Sequence, residues 1–288
     1  TSHVAINIPA VLPTSFACGG ASNPCTFDGS SVVSSGAPLA GPPADPFMVT
    51  VTAKPGTYQF LCRIHPGMRG QITVVDSNAQ ASTPGQVAGT VERQVQQDVK
   101  AGYAAEQRAT DGSSMNNADG TTTWFVTPGA SSPDRHVAVL EFLPQNIDIK
   151  SGDKVVWRMQ ESNEPHTVTF PTDLFTDQVP LCETSGGGTD APAFPLVIPP
   201  TGPQDFGCGG GAQLEVEFGG GNGVSTVTSP ASLSDSGVLG TKRLSHAFGL
   251  PSTAFLGSWT VSFTGATPGT YTYVCQIHEG MEATITVH

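Results

Sequence analysis

The chain has 288 residues, of which 34 are Gly, 24 are Pro and only 12% are charged. That length holds two domains of roughly 100–150 residues with separate cores, and the Gly/Pro-rich mix suits short strands and turns better than helical bundles. A formal net charge of −12 argues against a nucleic-acid partner, which needs clustered Lys and Arg, and no run of about 18 apolar residues encodes a transmembrane helix.

In chain order, His3 stands in Ser2-His3-Val4-Ala5-Ile6. Cys18 and Cys25 follow in a Gly/Pro-rich loop, and Cys182 and Cys208 occupy similar loops further on. Four loop cysteines imply two disulfides and an oxidising, extracytoplasmic location: periplasmic, cell-surface or secreted. Three pairings are open; Cys18–Cys25 with Cys182–Cys208, one pair per half, is favoured.

Residues 54–75 read KPGTYQFLCRIHPGMRGQITVV and residues 267–287 read TPGTYTYVCQIHEGMEATITV. This is an internal repeat with the frame P-G-T-Y-x-[FY]-[LV]-C-x-I-H-x-G-M followed by an alternating strand. Each copy predicts strand, short loop, strand, entered through Pro55-Gly56 or Pro268-Gly269. The repeat extends upstream more weakly, where Ser2-His3-Val4-Ala5-Ile6 matches Pro165-His166-Thr167-Val168-Thr169.

Between the copies, Thr83-Pro84-Gly85-Gln86 has the form of a capping box with Pro at the first helical position. Val91, Val95, Val99 and Tyr103 then recur every four residues, so 84–109 is predicted as one amphipathic helix. Its stripe is expected against a domain face, with assembly as the second reading. Residues 110–120 are expected to be a flexible polar loop. The organisation expected is a domain over 1–76, a helical linker over 77–120 and a domain over 121–288.

Cys275, His278 and Met281 are spaced C-x2-H-x2-M, close enough for one loop to wrap all three around a point, and His166 lies upstream beside a strand. One thiolate, two imidazoles and a weak thioether form the ligand set of a type 1 (blue) copper site. Met as the fourth ligand makes zinc a poorer match. The first copy offers the same set in His3, Cys62, His65 and Met68, giving two coppers per chain. His136, His246 and His288 lack ligand-like spacing and read as surface histidines.

With these residues in view, both halves resemble the plastocyanin/azurin-like cupredoxins, and the short C-x2-H-x2-M loop is most similar to that of amicyanin. The path from Phe142-Leu143-Pro144 through Gly152-Asp153-Lys154-Val155-Val156-Trp157 to Pro165-His166-Thr167 carries the resemblance in the second half. It covers 122–288 well and 1–76 in part. It implies an all-β fold of two Greek-key sandwiches, the first lacking its N-terminal strands. Those strands would come from an earlier start of the chain or from another subunit, unless the first half is not a complete cupredoxin.

The function expected is that of a single-electron carrier working with a redox partner protein. Copper storage, copper delivery or a structural role in an extracellular assembly is the alternative. An enzyme is not expected. Copper oxidases and nitrite reductases place extra His beside the ligand Cys, whereas the neighbours here are Leu61, Arg63, Val274 and Gln276. Arg63 and Arg69 near one loop, against Glu279 and Glu282 near the other, imply a higher reduction potential at Cys62. The same contrast favours homo-oligomeric head-to-tail contact.

Overall fold

A computed structural model describes residues 4–5, 18–35, 46–62, 65, 67–110, 113–160, 162–172, 182–183, 189–190, 215–216, 224–232, 234–247, 252–253, 255–275, 277–278 and 280–288. The chain divides into two units. One comprises Ala5–Arg93 and Leu181–Glu215; the other comprises Thr1–Val4, Gln94–Pro180 and Val216–His288.

In the first of these units, β1 (Cys25–Phe27) pairs in parallel with β2 (Val49–Val51), and β3 (Gly56–Leu61) forms an antiparallel hairpin with β4 (Arg69–Val74). The expected Cys18–Cys25 disulfide is present. Phe27 meets Tyr58 edge to face at 5.2 Å between ring centroids. Cys25 and Ala53 are the buried apolar residues among the described ones, so the interior here is small. Among the described residues this half shows two-stranded sheets rather than a sandwich. Cys208, and with it the pairing expected for Cys182, lies outside the described residues.

Helix α1 spans Pro84–Thr110. Its start is the capping box read from sequence: the Gln86 N–H donates to Thr83 Oγ1 at 3.3 Å, and the Thr83 N–H donates to Gln86 Oε1 at 2.9 Å. The stripe expected to dock does not: Val91, Val95, Val99 and Tyr103 are all more than half exposed. Ala105 is buried instead, packed with Ala130, Leu143 and Ala109. Small side chains let helix and strand approach closely, which the valine periodicity did not reveal. The expected flexible loop also gains order. β5 (Ser114–Asn116) pairs with β6 (Thr122–Ser131), and Asn117 bridges the hydroxyls of Thr121 and Thr123.

The second unit is a two-sheet sandwich. Its remaining elements are β7 (Ala138–Leu143), β8 (Asn146–Ile149), β9 (Lys154–Arg158), β10 (Thr169–Phe170), β11 (Val224–Thr226), β12 (Ser234–Asp235), α2 (Lys242–Ala247), β13 (Ser258–Ser262), β14 (Gly269–Val274) and β15 (Glu282–Val287). One sheet runs β11-β13-β9-β6-β5, with β7 also on β6; the other runs β12-β10-β14-β15-β8. The chain passes between sheets at β7–β8, β8–β9, β9–β10, β10–β11, β11–β12, β12–β13 and β13–β14, so neither sheet assembles without the other, as in Greek-key sandwiches.

Alternation turns one face of each strand inward: Val155 and Trp157 from β9, Trp259 and Val261 from β13, Tyr271 and Tyr273 from β14, and Ala283, Ile285 and Val287 from β15. Trp157 faces Trp259 across the sheet register and packs within 6 Å of Phe170 and Tyr273 from the other sheet. Each such ring hides about 150–250 Å² from water, a gross stabilisation of roughly 4–6 kcal/mol before ordering costs. This core braces the ends of β14 and β15, where the C-x2-H-x2-M loop begins and ends.

Candidate metal centre

The loop between β14 and β15 carries Cys275, His278 and Met281. Two hydrogen bonds close it: the Cys275 N–H donates to the Met281 carbonyl at 2.9 Å, and the Met281 N–H donates to the His278 carbonyl at 3.2 Å. Gly280, at φ 76°, supplies the left-handed turn residue that the short loop needs. His166 arrives from the segment between β9 and β10, and mutual backbone bonds with Leu239 at 3.0 and 2.7 Å hold it.

Three donor atoms converge there. Cys275 Sγ lies 3.9 Å from His166 Nδ1 and 3.6 Å from His278 Nδ1, and the two Nδ1 atoms are 3.1 Å apart. Among the described residues these three form the group of His, Cys and acidic side chains able to hold a metal ion. His166, Cys275 and Met281 are fully buried and His278 is half-buried. Of these four side chains, His278 is the one that reaches solvent.

Burial drives His166 well below the ordinary imidazole value, and the neighbouring His278 adds a smaller push in the same direction. Burial also raises the Cys275 thiol, opposed by backbone N–H groups of Thr167, Ile277 and His278 that favour the thiolate. The Thr167 N–H donates to the sulfur at 3.4 Å. A neutral imidazole with an open lone pair, beside a thiol whose anionic form is already hydrogen-bonded, is a donor set that accepts a cation and releases one proton.

Two contributors went unnoticed in the sequence. Ser162 Oγ lies 3.1 Å from His166 Nε2. Gly129, at φ 66° where the register of β6 and β7 shifts, lies so close to the ring that a Cβ there would sit 2.2 Å from Nε2. Pro128-Gly129 was a readable irregularity inside a strand. Nothing in the spacing of Ser162 marked it, because the turn over 162–166 creates its contact.

The first copy keeps the same local loop. The Cys62 N–H donates to the Met68 carbonyl at 2.8 Å, and the Met68 N–H donates to the His65 carbonyl at 3.1 Å. Cys62 Sγ lies 3.4 Å from His65 Nδ1. The surroundings differ, for His65 is exposed and Met68 is 62% exposed against 0% for Met281. His3 lies outside the described residues. The three histidines read as surface residues, His136, His246 and His288, are exposed, and His288 Nε2 sits 2.9 Å from Asp148.

No protein-family model matches the chain, and no curated protein matches it. Solved structures similar to it are cupredoxins. Oxidised plastocyanin from Dryopteris crassirhizoma is 17% identical over 57% of this chain and 99% of its own, with a TM-score of 0.26. Reduced auracyanin from Roseiflexus castenholzii is 14% identical over 58% of this chain and 96% of its own, at 0.28. A purple cupredoxin from Nitrosopumilus maritimus is 13% identical over 57% and 98%, at 0.25. At those TM-scores the likeness adds no weight to the strand order and core described above, on which the all-β, cupredoxin-like reading rests.

Proposed function

We propose that this chain is a type 1 copper protein that carries single electrons to or from a redox partner protein. The observation behind this reading is the convergence of His166, Cys275 and His278 in one small, largely dry space, with Met281 buried on the same loop. Those residues fit copper. A thiolate and a thioether suit Cu(I), imidazole suits both oxidation states, and among the described residues no carboxylate joins the set.

Bound copper would supply one-electron Cu(I)/Cu(II) chemistry. The chain's own residues do the rest. Cys275, His166 and His278 would hold the metal, with the buried Met281 thioether as a weak fourth donor. The aromatic core holds β14 and β15 rigid, so the ligands need little rearrangement, and burial keeps water out. His278, half-buried, is the edge at which a partner would dock.

We extend the reading to a second copper at Cys62, His65 and Met68 with His3, on domains over 1–76 and 121–288 joined by 77–120. The Cys18–Cys25 disulfide supports an extracytoplasmic location. No described helix is long and apolar enough to cross a membrane.

Copper titration of the full chain with visible absorption tests this. An intense thiolate-to-copper band and a reversible one-electron wave in voltammetry are expected; a colourless protein sinks the reading. Bound copper without a reversible wave favours storage or delivery instead. One copper per chain rather than two limits the site to His166, Cys275, His278 and Met281.

A further inference from the structure

We infer that Ser162 is a positioning residue that holds His166 as the Nε2–H tautomer, leaving its Nδ1 lone pair for the metal; this inference rests on the copper reading above and deepens it. Among the described residues Ser162 Oγ has three polar partners: the Glu164 N–H at 3.1 Å, the Glu164 carbonyl at 3.1 Å and His166 Nε2 at 3.1 Å. Ser162, Glu164 and His166 are all buried.

The serine has one proton. If it goes to the Glu164 carbonyl, Nε2–H of His166 donates to Oγ, and all three contacts are hydrogen bonds. If it goes to Nε2 instead, the Glu164 carbonyl is left without a partner among the described residues. An unpaired buried acceptor costs about 1–3 kcal/mol, so the first arrangement prevails. Nδ1 then has no proton and faces Cys275 Sγ and His278 Nδ1, and in the metal-free protein it can accept from His278.

The rest of the neighbourhood leaves Ser162 as the handle on Nε2. Gly129 closes that side of the ring with backbone alone. The turn itself is tied down through Asn163, whose N–H donates to Ser131 Oγ at 2.9 Å and whose Nδ2 donates to the Arg135 carbonyl at 3.0 Å. A ligand imidazole oriented through its second nitrogen is a general device of metal sites, and loss of such a contact typically costs 10–100-fold in affinity.

The test uses the full chain labelled with ¹⁵N and free of metal. Long-range ¹H–¹⁵N correlation should give His166 a protonated Nε2 and an unprotonated Nδ1. A dominant Nδ1–H form in the wild type overturns the inference, and this measurement needs no variant to fold. Ser162→Ala should mix the two tautomers and weaken copper binding 10–100-fold, read against a competing chelator. Ser162→Thr, which keeps the hydroxyl, should restore both. An unchanged tautomer in Ser162→Ala, or a changed tautomer with unchanged affinity, overturns it. A wild type that binds no copper yet keeps the Nε2–H form upholds the role of Ser162 and sinks the copper reading alone.

Discussion

The two copies of the repeat differ less in their loops than in what lies beneath them. Cys62–Met68 and Cys275–Met281 are closed by the same two backbone hydrogen bonds, within 0.1 Å of each other in length. Yet Tyr273, Met281 and Ile285 are fully buried, while their counterparts Phe60, Met68 and Ile72 are 56%, 62% and 47% exposed. The loop geometry is thus written locally, in Pro-Gly turns and the left-handed glycines Gly67 and Gly280. Burial is contributed by distant segments. β9, β10 and β13 bring Trp157, Phe170 and Trp259 over β14, and the described residues give β3 no such cover.

The sharpest way to break this comparison is at the cysteines. Cys275→Ser removes the thiolate from a centre with two imidazoles already in place, and copper retention there should fall by more than about 100-fold, beyond the range of lost outer contacts. Cys62→Ser should leave the visible band of the Cys275 site intact. If both substitutions bleach the protein equally, the copies do not act as separate sites. Next in size is the strictly equivalent pair Ile285 and Ile72. Ile285→Ala should cost about 2–5 kcal/mol, read by the fluorescence of the three Trp, all in the sandwich unit. Ile72→Ala should cost less than about 1 kcal/mol, read by hydrogen exchange across β3 and β4. Equal losses would show that the first copy has a comparable core.

Much of the centre was legible because its information is short-range. Cys275, His278 and Met281 fall within seven residues, and their repetition at Cys62, His65 and Met68 made chance untenable. His166 was legible only by its match to His3 and by the resemblance of the strands leading to it. The Thr83 cap and the start of α1 were readable for the same local reason. Three features were not. The valine stripe of α1 predicted a docked face, but packing chose Ala105. Ser114, Met115 and Asn116 carry no strand pattern, yet pairing with β6 makes them a strand. Ser162 acts through a turn whose shape depends on Ser131 and Arg135, about thirty residues earlier.

A smaller contrast lies in two tyrosines that make one bond. The Tyr271 hydroxyl donates to the Thr267 carbonyl at 2.7 Å, and the Tyr58 hydroxyl donates to the Lys54 carbonyl at 2.8 Å. Water can replace the second far more readily, since Tyr58 is half-buried and Tyr271 fully so. Tyr271→Phe should therefore cost about 1 kcal/mol, near the usual value of such a bond, and Tyr58→Phe less than about 0.5 kcal/mol. Similar losses in denaturant titrations would mean that burial does not separate the copies at this end of the hairpin.

The smallest expected effect bears on why Phe60 stays exposed. It pairs in register with Gly70, and its ring folds onto that glycine: a Cβ at position 70 would come within 2.3 Å of Phe60 Cζ. The equivalent pair in the second copy is Tyr273 with Ala283, where the ring turns into the core and leaves room for a methyl group. Phe60 thus covers its own hairpin, as aromatic rings do over strand glycines. Gly70→Ala would push the ring aside, but the clash falls on the far end of an exposed, movable side chain. Alanine also loses less backbone freedom than glycine on folding, by roughly 0.5–1 kcal/mol. The two terms oppose, so hairpin stability by hydrogen exchange should change by less than about 0.5 kcal/mol. A loss above about 2 kcal/mol would show Phe60 to be packed against more than its own strands, and the first copy would then have an interior closer to that of the second.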